Sequence, residues 1–241
     1  MIHCQKGACS ETQCVACPAF NESVFQGLVG PLAEKIEREK TIKKVRRRAQ
    51  LVTAGEPAQA LLCIREGWFK LTQRDSRGRD SVVRIIGPGE TLGYVEVVTG
   101  GAFRLNARAV TDAEVCLIGR KAFETALEES GTVARKLLTK ACHSMIDAEN
   151  LALSRASMSV RERVALTLHE LAQRFGVETS GGISIQLPLS RSDIAGLAGT
   201  VLESAVRQLS ELKDEGVIEL KGRTILIRNK GTLAQVAGIT A

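Results

Sequence analysis

No glycine or proline interrupts the chain between Thr132 and Ser154, and Val133, Leu137, Ala141, Met145, Ala148 and Ala152 recur there at near-heptad spacing. Side chains three and four residues apart share one face of an α-helix, so the stretch reads as one long helix with a narrow apolar seam. Such a seam is either an intramolecular core or a dimer interface. Its place between two stretches of different pattern favours the interface, with Leu137, Ala141, Met145, Ala148 and Ala152 as the contact positions. A separate folded part is expected on each side of it.

Before this helix the period is that of strands. Short apolar or alternating runs recur from Ala49 to Ile118: Leu51-Val52, Leu61–Ile64, Trp68–Thr72, Val82–Ile86 and Glu114–Ile118. Turn signals separate them, among them Gly55-Glu56-Pro57, Glu66-Gly67, Gly87-Pro88-Gly89 and Gly100-Gly101. Many short strands with glycine turns indicate a β-sandwich or roll. Val24, Leu28, Leu32 and Ile36 predict an amphipathic helix over Ser23–Arg38 in front of it. The basic run Lys43–Arg48 reads as a solvated face.

After the long helix the pattern changes again. A helix over Val160–Phe175 is followed by a loop over Thr179–Gly182 and a strand over Ile183–Leu187. Two helices follow, about Ser190–Ala198 and Leu202–Glu215, joined by the tight Gly199-Thr200-Val201 turn. Two strands about Gly222, Val217–Leu220 and Thr224–Ile227, close the unit. Helix, glycine turn, helix and β wing make a winged helix-turn-helix, whose second helix presents its first residues to a major groove about 12 Å wide. Glu203 and Arg207 lie four apart on one face, with Ser204 and Val206 beside them. Arg can clasp guanine O6 and N7, and Glu can accept from cytosine N4. A Glu/Arg pair at this spacing is often just a solvated pair, but at the start of this helix base reading is favoured. Ser190, Arg191 and Ser192 are placed to reach phosphates, which fix register rather than sequence.

Composition agrees with a soluble two-part chain. The 241 residues are 44% apolar and 25% charged, and the net charge of +6 is a weak pointer to a polyanionic partner. No apolar run is long enough to span a membrane. Met1–Lys6 lacks the apolar stretch of a signal peptide, so a cytoplasmic protein is expected. No P-loop, GxSxG or HExxH motif points to an enzyme.

Seven cysteines are present, four of them within the first 17 residues: Cys4, Cys9, Cys14 and Cys17. In a reducing compartment such a cluster reads as a metal site rather than a disulfide framework. Cys63 lies in a strand pattern and reads as core. Cys142, in the long helix, reads as interface packing.

Three blocks now carry a family resemblance: Ser190-Arg191-Ser192-Asp193-Ile194-Ala195, Leu202-Glu203-Ser204-Ala205-Val206-Arg207-Gln208-Leu209 and Gly216-Val217-Ile218. They resemble the DNA-binding domain of the CRP/FNR regulators, and roll, long helix and winged domain come in that family's order. The resemblance implies an α+β protein with four parts. These are a cysteine-rich arm (1–20), a cyclic-nucleotide-binding-like β-roll as sensory domain (21–127), a dimerisation helix (128–157) and a winged helix-turn-helix (158–241). It implies a homodimer on inverted-repeat double-stranded DNA, with Glu203 and Arg207 reading a TGA core. Val206, where the family often has Ser or Gly, stands at the outer base. RNA polymerase is the implied partner, with Asp75–Asp80 as a candidate activating turn.

Within the superfamily, Ile2-His3-Cys4-Gln5, Cys9-Ser10 and Cys17-Pro18-Ala19-Phe20 resemble the arm of the FNR branch, and Glu114-Val115-Cys116-Leu117-Ile118 its distant fourth ligand. That branch implies an oxygen- or redox-responsive [4Fe–4S] cluster, which needs four thiolates. Here four arm cysteines compete for three places beside Cys116; Cys4, Cys9 and Cys17 are favoured, with Cys14 the closest competitor. The alternative cofactor is a structural zinc held by the four arm thiolates, in a regulator answering another signal such as nitric oxide or haem. A further alternative is a roll-containing regulatory protein without DNA function. The cyclic-nucleotide cassette is broken, because Tyr94 and Leu105-Asn106 stand where that cassette has Glu and Arg-Ser, so no cAMP is expected.

Overall fold

The computed structural model describes residues 14, 17–74, 78 and 80–239. The chain divides into two compact units, Met1–Gln73 with Arg84–Met145, and Arg74–Val83 with Ile146–Ala241.

In the first unit, α1 (Pro18–Asn21) and α2 (Pro31–Glu39) precede β1 (Thr41–Val45), β2 (Gln50–Val52), β3 (Ala60–Glu66), β4 (Phe69–Arg74), β5 (Asp80–Ile86) and β6 (Thr91–Leu92). Next come α3 (Tyr94–Thr99), β7 (Asn106–Ala109), β8 (Ala113–Gly119), α4 (Arg120–Glu129) and the start of α5 (Gly131–Ser157). The strands form two four-stranded sheets, in the orders β1-β8-β3-β6 and β2-β7-β4-β5, which is the β-roll expected from the glycine-punctuated runs. Phe25, Ile36, Leu61, Ile64, Phe69, Ile86 and Phe123 are its largest fully buried side chains among the described residues. Lys43, Lys44, Arg46, Arg47 and Arg48 are all exposed, the solvated face read from the sequence.

The helix expected over Ser23–Arg38 is only half present. Residues 22–27 form turns, 28 and 29 are irregular, and α2 begins at Pro31. The break has a local cause: Gly27 and Gly30 adopt φ of 79° and 74°, a region that glycine enters freely, and Pro31 fits the first turn of a helix. Val24 and Leu28 are buried all the same, so the apolar pattern was that of a core segment rather than of one helix.

The second unit holds the rest of α5, then α6 (Val160–Phe175), β9 (Gly176–Thr179), β10 (Gly182–Ile185), α7 (Arg191–Leu197), α8 (Leu202–Asp214), β11 (Ile218–Lys221), β12 (Thr224–Ile227) and α9 (Lys230–Val236). Its sheet runs β11-β12-β10-β9. Two capping boxes start its helices: Ser159 with Glu162 on α6, and Ser190 with Asp193 on α7. Each satisfies backbone N–H groups that a helix start leaves unpaired. The α7–α8 turn depends on Gly199, at φ 61°, where a Cβ would stand 2.7 Å from Arg155 Nε. Leu168, Ile194, Leu209, Leu212 and Ile218 form the buried centre. Strand β9 occupies the residues between α6 and the expected loop, together with that loop's first residue Thr179, and α9 was not foreseen, because its short apolar pattern is weak.

Candidate cysteine pocket and nucleic-acid interface

Cys14 and Cys17, ahead of α1, line one pocket with Cys63 of β3 and Cys116 of β8, beside Ala19, Phe20, Ser23, Lys40, Arg65 and Ile118. The register explains half of this grouping. Cys63 and Cys116 are directly paired across antiparallel β3 and β8, so their side chains leave the sheet on the same face. Aromatic packing explains the other half. Phe20 of α1 stacks on Phe25 (ring centroids 5.8 Å apart), and Phe25 meets Phe123 of α4 edge-on at 6.1 Å. The end of the arm is therefore pinned to the roll by its own side chains.

Polar contacts complete the pocket. The Cys14 backbone N–H donates to Glu37 Oε2, and Lys40 Nζ donates to Cys14 Sγ at 3.2 Å and to Glu37 Oε1 at 2.6 Å. Burial pushes the Cys14 thiol up to about 12, reinforced by Glu37 and opposed by Lys40. Burial, with Cys116 alongside, pushes the Cys63 thiol up to about 12. Burial also raises Cys116, against the pull of the Arg65 and Lys40 cations. As they lie, the thiols line the pocket without converging: among the described residues no group of three His, Cys, Asp or Glu side chains is close enough to hold a metal ion. Of the five cysteines put forward as ligands, the structure thus brings Cys14, Cys17 and Cys116 together, while Cys4 and Cys9 lie outside the described residues. Cys63 was read as core only; it is buried, yet it faces the pocket. Its pairing with Cys116 depends on strand register, which the sequence leaves open. Cys142 is exposed on α5.

Elsewhere in the first unit, the cassette position Tyr94 is buried and its hydroxyl lies 3.1 Å from Ser144 Oγ on α5. Arg104, next to the cassette's Leu105-Asn106, is paired through Nε with buried Glu96 at 3.3 Å.

In the second unit, α8 offers Glu203, Val206 and Arg207 to solvent, with Ser204 half-buried beneath them. No ion pair joins Glu203 to Arg207 among the described residues, so both are available to a partner. Val201, Leu202 and Val206 are 51, 43 and 41% exposed, an apolar patch at the very start of this helix. Ser192 is exposed; Ser190 accepts from the Asp193 N–H as the α7 cap. Arg191 is placed differently from a free phosphate contact: Nη2 donates to the Gly222 carbonyl of the wing at 3.1 Å, and Nη1 is buried without a partner among the described residues.

Along α5 the expected seam divides. Val133 is fully buried and Leu137 half-buried against the first unit, whereas Ala141, Met145, Ala148 and Ala152 are exposed. Leu138, Ile146 and Leu153, outside that seam, are also exposed, at 65, 48 and 65%. No helix among the described residues is long and apolar enough to cross a membrane. Asp75, Ser76 and Arg77 of the proposed activating turn lie outside the described residues.

Comparisons with known proteins agree with this architecture. Residues 42–130 match the cyclic nucleotide-binding domain model, and residues 162–236 the Crp-like helix-turn-helix domain model. The chain is 27% identical over 242 residues to the fumarate and nitrate reduction regulatory protein of Escherichia coli K12, covering 99% of this chain and 92% of that protein. It is 25% identical over 214 residues to a CRP-like cAMP-activated global transcriptional regulator of Mycobacterium tuberculosis, covering 89% and 96%. Among solved structures, FixK2 of Bradyrhizobium japonicum aligns with 30% identity and a TM-score of 0.72, over 84% of this chain and 99% of that one.

Proposed function

Because the chain belongs to the CRP/FNR family of DNA-binding transcription regulators, we propose that it is the oxygen- or redox-responsive kind, carrying a [4Fe–4S] cluster on Cys116 and three of Cys4, Cys9, Cys14 and Cys17. The observation that carries this reading is the shared pocket of Cys14, Cys17 and Cys116, drawn from opposite ends of the first unit. The donor set fits such a group: soft thiol sulfurs on a wall shared by apolar Ala19, Phe20 and Ile118, with the cations Lys40 and Arg65 beside them. When bound, the cluster supplies the reactivity toward oxygen that protein side chains lack. The chain's own residues do the rest. Lys40 and Glu37 hold the Cys14 segment in place, and in the metal-free pocket burial pushes the Cys14 thiol up to about 12.

A packed route leads from the pocket toward the dimer helix. Phe20 stacks on Phe25, Phe25 meets Phe123 of α4, and Lys136 of α5 donates to Gln26 beside Phe25. Ordering the arm favours one placement of this route and thereby biases α5, whose exposed Ala141, Met145, Ala148 and Ala152 await a second copy. A two-fold dimer sets two α8 helices one DNA turn apart, so the site is an inverted repeat. Arg207 clasps the guanine of a TGA core, Glu203 accepts from the opposed cytosine, and Val206 offers only apolar contact to the outer base. From such a site the dimer contacts RNA polymerase.

Purification without oxygen tests the reading. Iron and sulfide in equal amounts, a brown colour and bleaching in air are expected. Zinc in place of iron, retained when Cys116 is replaced, overturns it.

A further inference from the structure

Strands β3 and β8 are the two central strands of their sheet, held between β6 and β1. Cys63 and Cys116 are register partners in the middle of that pairing, and both are free thiols facing the pocket. Residues directly opposite on antiparallel strands have Cα atoms about 4.5–5.5 Å apart. A disulfide spans Cα separations of about 4.4–6.8 Å. The two cysteines are thus already at bonding separation on a rigid frame. Cys14 and Cys17 line the same pocket but belong to a separate segment, outside the sheet.

We propose that Cys63 and Cys116 are a disulfide-forming pair, linked across the two strands by a small-molecule disulfide of the oxidised-glutathione class whenever no metal group engages Cys116. The step balances. One cysteine loses its proton to water and attacks a sulfur of the oxidant, which releases one reduced thiol and leaves a mixed disulfide. The second cysteine then displaces the second reduced thiol as the Cys63–Cys116 bond forms. Two protein thiols are oxidised and one oxidant disulfide is reduced. The bond itself stands on strand register alone. Its consequence rests on the cluster reading above: Cys116 is withdrawn as a ligand, and the oxidised pocket takes up no cluster until it is reduced.

The full-length chain, stripped of metal and handled without oxygen, is treated with oxidised glutathione, alkylated and digested with trypsin without reduction. Cys63 and Cys116 lie on separate tryptic peptides, 49–65 and 109–120, while Cys9, Cys14 and Cys17 share peptide 7–35. The expected result is peptide 49–65 joined to 109–120 as the main form of Cys116. Cys63→Ala, with Cys63→Ser as a second variant, should leave Cys116 alkylated or as its glutathione mixed disulfide, and joined to no other peptide. Cys116 joined to 7–35, or alkylated in the unaltered chain, overturns the proposal; this map is read without any variant. For the consequence, the oxidised chain should lose iron uptake from ferrous iron and sulfide and regain it after dithiothreitol. Equal uptake before and after reduction overturns that consequence. No uptake even by the reduced chain overturns the cluster reading and leaves the disulfide standing.

Discussion

Arg191 donates from Nη2 to the carbonyl of Gly222, so α7, the first helix of the helix-turn-helix, is tied to the turn of its wing. Its other amino nitrogen is buried with no partner among the described residues, and burial lowers the guanidinium's proton affinity. The residue acts as a strut as much as an anion contact. Arg191→Ala should loosen β11 and β12 and weaken binding to every DNA sequence alike. Faster amide hydrogen exchange in the wing, with unchanged base preference, is the expected outcome; unchanged wing exchange with weaker binding would make it a phosphate contact only.

Arg207 makes the opposite prediction. It is exposed on α8 and unpaired among the described residues. Arg207→Ala should cost about 1–3 kcal/mol per half-site and relax preference at one base pair. Selection from a random duplex pool, followed by binding titrations on single-base variants, measures both. An unchanged preference at every position would mean that the helix is docked some other way.

The long helix separates folding from association. Leu137 is half-buried within its own chain, whereas Met145 is 58% exposed. Met145→Glu should leave the monomer's thermal transition in place and weaken the dimer by several kcal/mol, because the carboxylate is buried without a partner only in the dimer. Leu137→Glu should destabilise the monomer itself. Sedimentation and calorimetry on the two variants tell them apart, and a dimer untouched by Met145→Glu would move the interface elsewhere.

Metal-free protein should lose stability at alkaline pH. Cys14 and Cys63 rise from an ordinary 9.0 to about 12 on burial. Between those values the unfolded chain gives up thiol protons that the folded chain keeps. The folded form therefore binds more protons, and stability falls as pH rises through this window. Denaturant midpoints at pH 8, 9 and 10 should show the fall, with a shallower slope in Cys63→Ala. Equal slopes in the two proteins would place the Cys63 thiol at its ordinary value.

Replacing Cys116 by Ser should remove cluster iron from anaerobically purified protein while leaving the roll folded, since the side chain lines a pocket rather than filling the core. Iron content and far-ultraviolet circular dichroism together decide this. Full iron in the variant would assign the site to the arm thiols alone.

Period and punctuation were enough to find the roll, the long helix and the winged unit. Strands alternate every second residue, helices every third or fourth, and glycine turns mark the joins in both units. The exposed face of α8 was legible for the same reason: Glu203, Val206 and Arg207 share one side of the helix whatever surrounds it. Local pattern failed where the chain's path depends on distant contacts. The Val24–Ile36 periodicity looked like one helix because buried turns can carry the same apolar spacing, and the positive φ of Gly27 and Gly30 decided otherwise. Leu137 and Leu138 are neighbours in sequence, and only packing against the first unit made one half-buried and left the other open. Above all, the sequence alone placed Cys116 in a strand and Cys63 in another. That the two stand opposite each other, and share a pocket with Cys14 and Cys17, was decided by tertiary structure: register is set when two sheet faces are buried together, and a shift of one residue would have turned either thiol to the other face.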